Sequence, residues 1–151
     1  MNDTITNFGY PQSLIGESDA WVVLLRPQQA TLGALVLACK EDALALHNLS
    51  AAALAEMPTL MSRCEALLQD AFGYDKINHL MLMMVDPHVH YHVLPRYAKP
   101  QRCDLPALDG VVFEDAGWPA LPRLDAPTAL DDDGRLALIA MLRERWKSLG
   151  F

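Results

Sequence analysis

His88-Val89-His90-Tyr91-His92-Val93-Leu94-Pro95-Arg96 is the stretch from which the rest of the chain can be read. Five histidines fall among 151 residues, and at that frequency an accidental His-x-His-x-His appears somewhere in the chain with a probability of roughly 0.005. An extended backbone repeats every two residues, so a strand here puts His88, His90 and His92 on one face and Val89, Tyr91 and Val93 on the other. The apolar side packs inward and the imidazoles line a surface. Core histidines usually stand singly and are satisfied by a carbonyl, a role that suits His47 and His79.

Two chemistries use such a row. A metal ion needs imidazole nitrogens converging at about 2.1 Å. Neighbouring His-x-His pairs can do this, but His88 and His92 stand about 13 Å apart on a straight strand at roughly 3.3 Å per residue. Convergence of all three needs a bend, and a fourth ligand from Asp86 or beyond. The competing use is linear: the rings lie along an extended anion such as a polyphosphate, one attacking phosphorus while its neighbours donate to developing oxyanions. With a pKa near 6.5, imidazole has both charge states within reach at neutral pH. The linear use fits the spacing better.

Upstream, Ala20 to Leu25 and Gly33 to Cys39 are short apolar runs that read as strands of a hairpin, with Pro27, Gln28 and Gln29 in the connection. Ser50 is placed to cap a long helix over Ala51 to Phe72, stopped by Gly73. Leu54, Met57, Met61, Cys64, Leu67 and Leu68 recur at helical spacing as its buried stripe, and Pro58 predicts a kink or restart. Ile77 to Val85 is nearly continuously apolar, as in a strand covered on both faces, and a tight turn at Asp86-Pro87 leads into the histidine strand.

Downstream, residues 98–130 are rich in proline and lack a period, which predicts an irregular segment with at most a short strand at Val111 to Phe113. A closing helix is expected over about 133–149, with Leu138, Leu142, Trp146 and Leu149 towards the core. Asp131, Asp132 and Asp133 could form a divalent-metal site, but they stand where the partial charge of a helix N-terminus favours carboxylates, and a capping cluster is the simpler reading.

Twelve Lys and Arg against nineteen Asp and Glu give a net charge of −7. The length suits one domain over residues 1–151. An acidic chain lacks the basic stripe that polymeric nucleic acid requires, no run approaches the roughly 18 apolar residues of a membrane span, and Met1 to Gln12 has no secretory pattern. A cytoplasmic location is expected. Cys39, Cys64 and Cys103, an odd number at long spacings, are expected to be reduced thiols rather than a disulfide or thiolate-zinc framework.

His88 to Arg96 resembles the signature of the histidine triad (HIT) superfamily, three histidines alternating with apolar residues and followed by two more apolar ones. The order hairpin, long helix, paired strands agrees over about residues 10–97, and the tract Met81 to His92 is similar to an uncharacterised bacterial branch of HIT-like proteins. The resemblance implies an α+β domain with an antiparallel sheet, a long helix after the first hairpin and a C-terminal helix. Such domains are usually homodimers that bind a nucleotide and hydrolyse or transfer its phosphoryl group through a covalent nucleotidyl-histidine. His90 would be the nucleophile, His92 would contact phosphate oxygen and assist the leaving group, and His88 would order the row. The reaction so implied requires no metal or other cofactor, although a divalent cation could accompany a polyphosphate substrate.

The sequence departs from that pattern at two points. Ala34 stands where many active members carry a fourth histidine, and Asp86-Pro87 replaces a polar, glycine-rich phosphate loop. The cations nearest in sequence, Arg96, Lys99 and Arg102, are candidates to complete a phosphate pocket. Asn78 is a candidate for ribose or phosphate, Trp118 for stacking on a base, and Met81, Met83 and Met84 for an adaptable floor beneath a purine. The functional expectation is a hydrolase or nucleotidyl transferase acting on a nucleoside phosphate anhydride, ester or phosphoramidate. The alternatives are a nucleotide-binding or sensing protein with little turnover, and a metal-dependent hydrolase using the His-x-His pair.

Overall fold

The computed structural model describes residues 1–151 as an α+β fold built on a five-stranded antiparallel sheet. In chain order it contains α1 (Asp3–Asn7), β1 (Leu14–Glu17), β2 (Trp21–Leu25), β3 (Leu35–Cys39), α2 (Ala51–Phe72), β4 (Lys76–Leu80), β5 (His90–Arg96) and α3 (Asp132–Ser148). The strands lie in the order β1-β2-β3-β5-β4, so β5 is internal and β4 is an edge.

Every residue of β2 and β3 is buried, because helices cover the sheet on both sides. The larger core lies under α2 and α3, where Trp21, Val23, Leu25, Leu35 and Leu37 meet Leu60, Cys64, Leu67, Leu138 and Leu142. Val89 and Val93 join this core as the alternation predicts, with Tyr91 packed at its margin. A smaller cluster on the opposite face joins Val22, Leu24, Val36 and Ala38 to Ile5 of α1. Neither α1 nor β1 was expected from the sequence. Each is short, and β1 depends on a tertiary contact: a Cβ on Gly16 would lie 2.2 Å from Cε2 of Trp146.

Ser50 caps α2 by accepting from the Ala53 N–H, and Gly73 ends it at φ 64°. The helix neither stops nor restarts at Pro58. That ring lies on the exposed side, where solvent can serve the carbonyl deprived of its donor. Cys64, Leu67 and Leu68 are buried as expected and Met57 and Met61 pack against the core, but Leu60 is buried as well, and in the first turn Ala53 is buried while Leu54 is exposed. The reason is Trp21, whose indole N–H donates to the Ala53 carbonyl at 2.8 Å and draws this small-residue side of the helix onto the sheet.

The expected strand Ile77 to Val85 is corrected: β4 ends at Leu80, and Met81–Val89 form an irregular connection in place of a tight Asp86-Pro87 turn. Met83 takes φ 50°, and Met84 and Val85 are 86% and 91% exposed. In residues 98–130 the only strand-like pairing of Val111 to Phe113 is one bridge between Gln101 and Phe113. Asp131 caps α3 through the Gly134 N–H, Asp132 pairs with Arg135, and Leu138, Leu142 and Trp146 are buried. All three cysteines are unpaired, and burial pushes the Cys64 thiol up to about 12. No helix is long and apolar enough to cross a membrane.

Candidate functional site

β5 pairs with β3 so that His90 faces Ala38 and His92 faces Val36. Both imidazoles therefore lie on the side of the smaller core, beneath α1 and the residues that follow it. Their ring centroids are 5.1 Å apart, edge to face. Phe8 completes the cluster at 5.4 Å from His90 and 5.8 Å from His92. His90 and His92 are 2% and 7% exposed.

His90 Nδ1 lies 2.8 Å from the backbone carbonyl of His88. A carbonyl oxygen only accepts, so Nδ1 carries the proton and the lone pair of the neutral ring resides on Nε2. Nε2 has no protein partner. The tautomer of His90 is thereby set by the backbone.

His88 does not continue the row. Its ring lies between the Thr4 hydroxyl, 2.9 Å from Nδ1, and the Asp42 carboxylate, 2.7 Å from Nε2. Its backbone N–H also donates to Thr4 Oγ1. The adjoining Val89 N–H donates to the Ala43 carbonyl. The side chain thus anchors the very carbonyl that orients His90, and it joins α1 to the segment after β3.

His92 differs electrostatically from its neighbours. Burial first, then the repulsion that a proton on His92 would meet from one on His90 and from the Arg26 charge, lower its pKa to about 4, against an opposing pull from Asp86. It is neutral at pH 7. Its Nδ1 is sealed off without a partner, which leaves Nε2 as the nitrogen available to a ligand.

A cavity of about 340 Å³ opens over the two rings, lined by Phe8, Arg26, Met83, Met84, His90 and His92 among others. Leu82, Val85 and Asp86 also line it, so the connection in place of the expected strand forms one wall. Met83 and Met84 reach the cavity as proposed for a purine floor, while Met81 is not among its lining residues.

The remaining candidates are elsewhere. Arg96 is 3% exposed, and its Nε and NH2 donate to the two carboxylate oxygens of Asp115 at 2.6 and 2.9 Å. Its NH1 donates to Asn78 Oδ1 at 2.8 Å. Asn78, Arg96 and Trp118 come together around a separate cleft of about 730 Å³ beside β4, which shares no lining residue with the imidazole cavity. Each of the three guanidinium nitrogens donates to protein, and Arg96 does not line the imidazole cavity. Lys99 and Arg102 are exposed and line neither cavity.

Arg26 is the residue sequence reasoning missed. It follows the buried run Trp21–Leu25 and is in phase with Val22 and Leu24, the side chains that face the smaller core. A charged residue continuing a buried face was the available signal. No group of three His, Cys, Asp or Glu side chains is placed to hold a metal ion.

The family model for the HIT domain matches residues 8–99. No curated protein matches the chain. Among solved structures, a histidine triad protein from Sinorhizobium meliloti aligns with a TM-score of 0.70 at 17% identity, over 98% of this chain and 94% of that one. Another from Marinobacter aquaeolei gives 0.68 at 19% identity, over 99% and 97%. A histidine triad nucleotide-binding protein, described as hypothetical, from Sulfolobus tokodaii gives 0.67 at 18% identity, over 97% and 91%. At these identities the likeness shows the fold.

Proposed function

Since this chain belongs to the histidine triad (HIT) domain family, we propose that it binds a nucleotide in the imidazole cavity and cleaves or transfers its α-phosphoryl group, with His90 as nucleophile. One observation carries the reading: the His88 carbonyl holds the proton on His90 Nδ1 and leaves the Nε2 lone pair without a protein partner, on a ring that lines the cavity. In the first step Nε2 bonds to the α-phosphorus as the bond to the leaving group breaks. In the second, water displaces the histidine and releases a nucleoside monophosphate. His92 offers a neutral imidazole to a phosphate oxygen or leaving group, and Phe8, Met83 and Met84 provide apolar contact for a base. No step requires a metal, and a divalent cation could enter with a polyphosphate.

The test is incubation with an AMP anhydride and an AMP phosphoramidate, a quench in base, and intact-mass measurement of the protein. A nucleotidyl adduct absent from His90→Ala is expected. A second reading, nucleotide binding or sensing with little turnover, is favoured by Ala34, which adds no imidazole to the row, and by Phe8 packed against both rings. AMP binding without an adduct from either substrate would select it. A homodimer accords with the family reading, since β4 is a half-exposed edge strand available to a symmetric partner. A monomer by light scattering at micromolar concentration would exclude it.

A further inference from the structure

Arg26 has a fixed backbone and a mostly unoccupied head. Its N–H donates to the Ala34 carbonyl at 3.0 Å. Its carbonyl accepts from the buried Gln29 side chain at 2.8 Å, and that same amide also donates to Ala34 O and accepts from the Gly33 N–H. These bonds continue the β2–β3 register by one pair, so Arg26 lies opposite Ala34 on the histidine face.

Of the five guanidinium donors, one is used within the protein, NH1 to the Gln28 carbonyl at 2.6 Å. Nε is buried with no partner. No carboxylate forms an ion pair with it, although Asp86 lines the same cavity; Asp86 instead accepts from Asn7 at 2.9 Å. Burial lowers the pKa of the group, the mark of a charge removed from water without an anion to compensate it. A partly dehydrated planar cation beside a nucleophilic imidazole suits an oxyanion that arrives with the ligand.

We infer that Arg26 is the anion-binding and specificity-determining residue of this cavity, holding the group displaced from phosphorus, so that the site prefers nucleoside 5′-phosphoric anhydrides to phosphoramidates. This inference rests on the proposed role of His90. As His90 Nε2 bonds to the α-phosphorus, the P–O bond to the bridging oxygen breaks and its electron pair departs on that oxygen. The leaving phosphate or carboxylate remains anionic beside Arg26 and needs no proton. Water then attacks the phosphorus, the N–P bond breaks with its electron pair returning to Nε2, and the water proton passes to solvent. A phosphoramidate nitrogen must instead collect a proton as it leaves, and His92, neutral at pH 7, is a poor donor of one.

The experiment compares kcat/KM for diadenosine triphosphate and AMP morpholidate in the parent, Arg26→Gln and Arg26→Lys, with circular dichroism to verify folding. The parent is expected to favour the anhydride at least tenfold. Arg26→Gln should lower anhydride turnover about 100-fold and morpholidate turnover less than tenfold, with partial recovery in Arg26→Lys. A parent that prefers the morpholidate, or equal losses on both substrates, would overturn the inference. If neither substrate turns over, calorimetric binding of ADP and AMP decides: ADP should bind the parent at least tenfold more tightly, and Arg26→Gln should erase the difference. Equal affinities in the parent would overturn this inference alone. Absence of any nucleotide binding or adduct would overturn the proposed function, and this inference with it.

Discussion

Arg26 and Arg96 lie towards the same face of one sheet, yet their surroundings make them opposite kinds of arginine. Arg96 is held by both oxygens of Asp115 and by Asn78, inside protein that encloses the ion pair from both sides. Arg26 keeps a buried Nε without a partner beside two imidazoles. The lesson is that a basic residue close in sequence to the histidine row need not line its cavity. The charge available to a ligand is the one the fold leaves uncompensated, and it comes here from a different strand pair.

The largest expected effect breaks the closed end of this comparison. Arg96→Met should cost about 3–5 kcal/mol in urea unfolding, because it strands the Asp115 carboxylate in a dry site. Adding Asp115→Leu should recover much of that loss. A stable Arg96→Met protein that loses only nucleotide affinity would mean that Arg96, and not Arg26, serves the ligand.

The next effect probes the open end through pH. His92 titrates at about 4 in the folded protein against an ordinary value of 6.5. Between those values the unfolded chain binds a proton that the native state refuses. Its contribution to stability is therefore present above pH 6.5 and is lost as pH falls towards 4, at about 1.4 kcal/mol per pH unit. Chemical unfolding at stepped pH should show this slope, and His92→Asn should flatten it.

Smaller effects sharpen the contrast. Asn78→Ala leaves one Arg96 N–H without its acceptor and should cost about 1–3 kcal/mol, with His90 reactivity unchanged. Asp42→Asn should cost at most about 1 kcal/mol of stability, since the carboxylate facing His88 is 88% exposed. Its signature is kinetic instead: a lower kcat at constant KM, because the His88 carbonyl that orients His90 is held less firmly. A raised KM with unchanged kcat would place Asp42 on the ligand-binding side.

What was legible in the sequence follows from local periodicity. The alternation of His90 and His92 with Tyr91 and Val93 assigned the faces of β5 correctly, and Ser50, Gly73 and Asp131 marked helix ends through groups reaching only a few residues. The same logic failed at Met81–Val85, where an apolar run is exposed in part because it serves as a cavity wall. It failed again at Leu54, because the side of the first turn of α2 that meets the sheet depends on a bond from Trp21, 32 residues away.

The sequence by itself determined that an imidazole row lies on one face of a strand, with an apolar face behind it, because a two-residue repeat is a property of the extended chain. The tertiary structure decided the use of each ring. Thr4 and Asp42 turn His88 into an anchor, its carbonyl sets the tautomer of His90, and burial, with repulsion from His90 and Arg26, keeps His92 neutral. It also decided which arginine is available. A hydrogen-bond partner or a desolvation cost depends on which atoms meet across long stretches of chain, and no local period encodes that meeting.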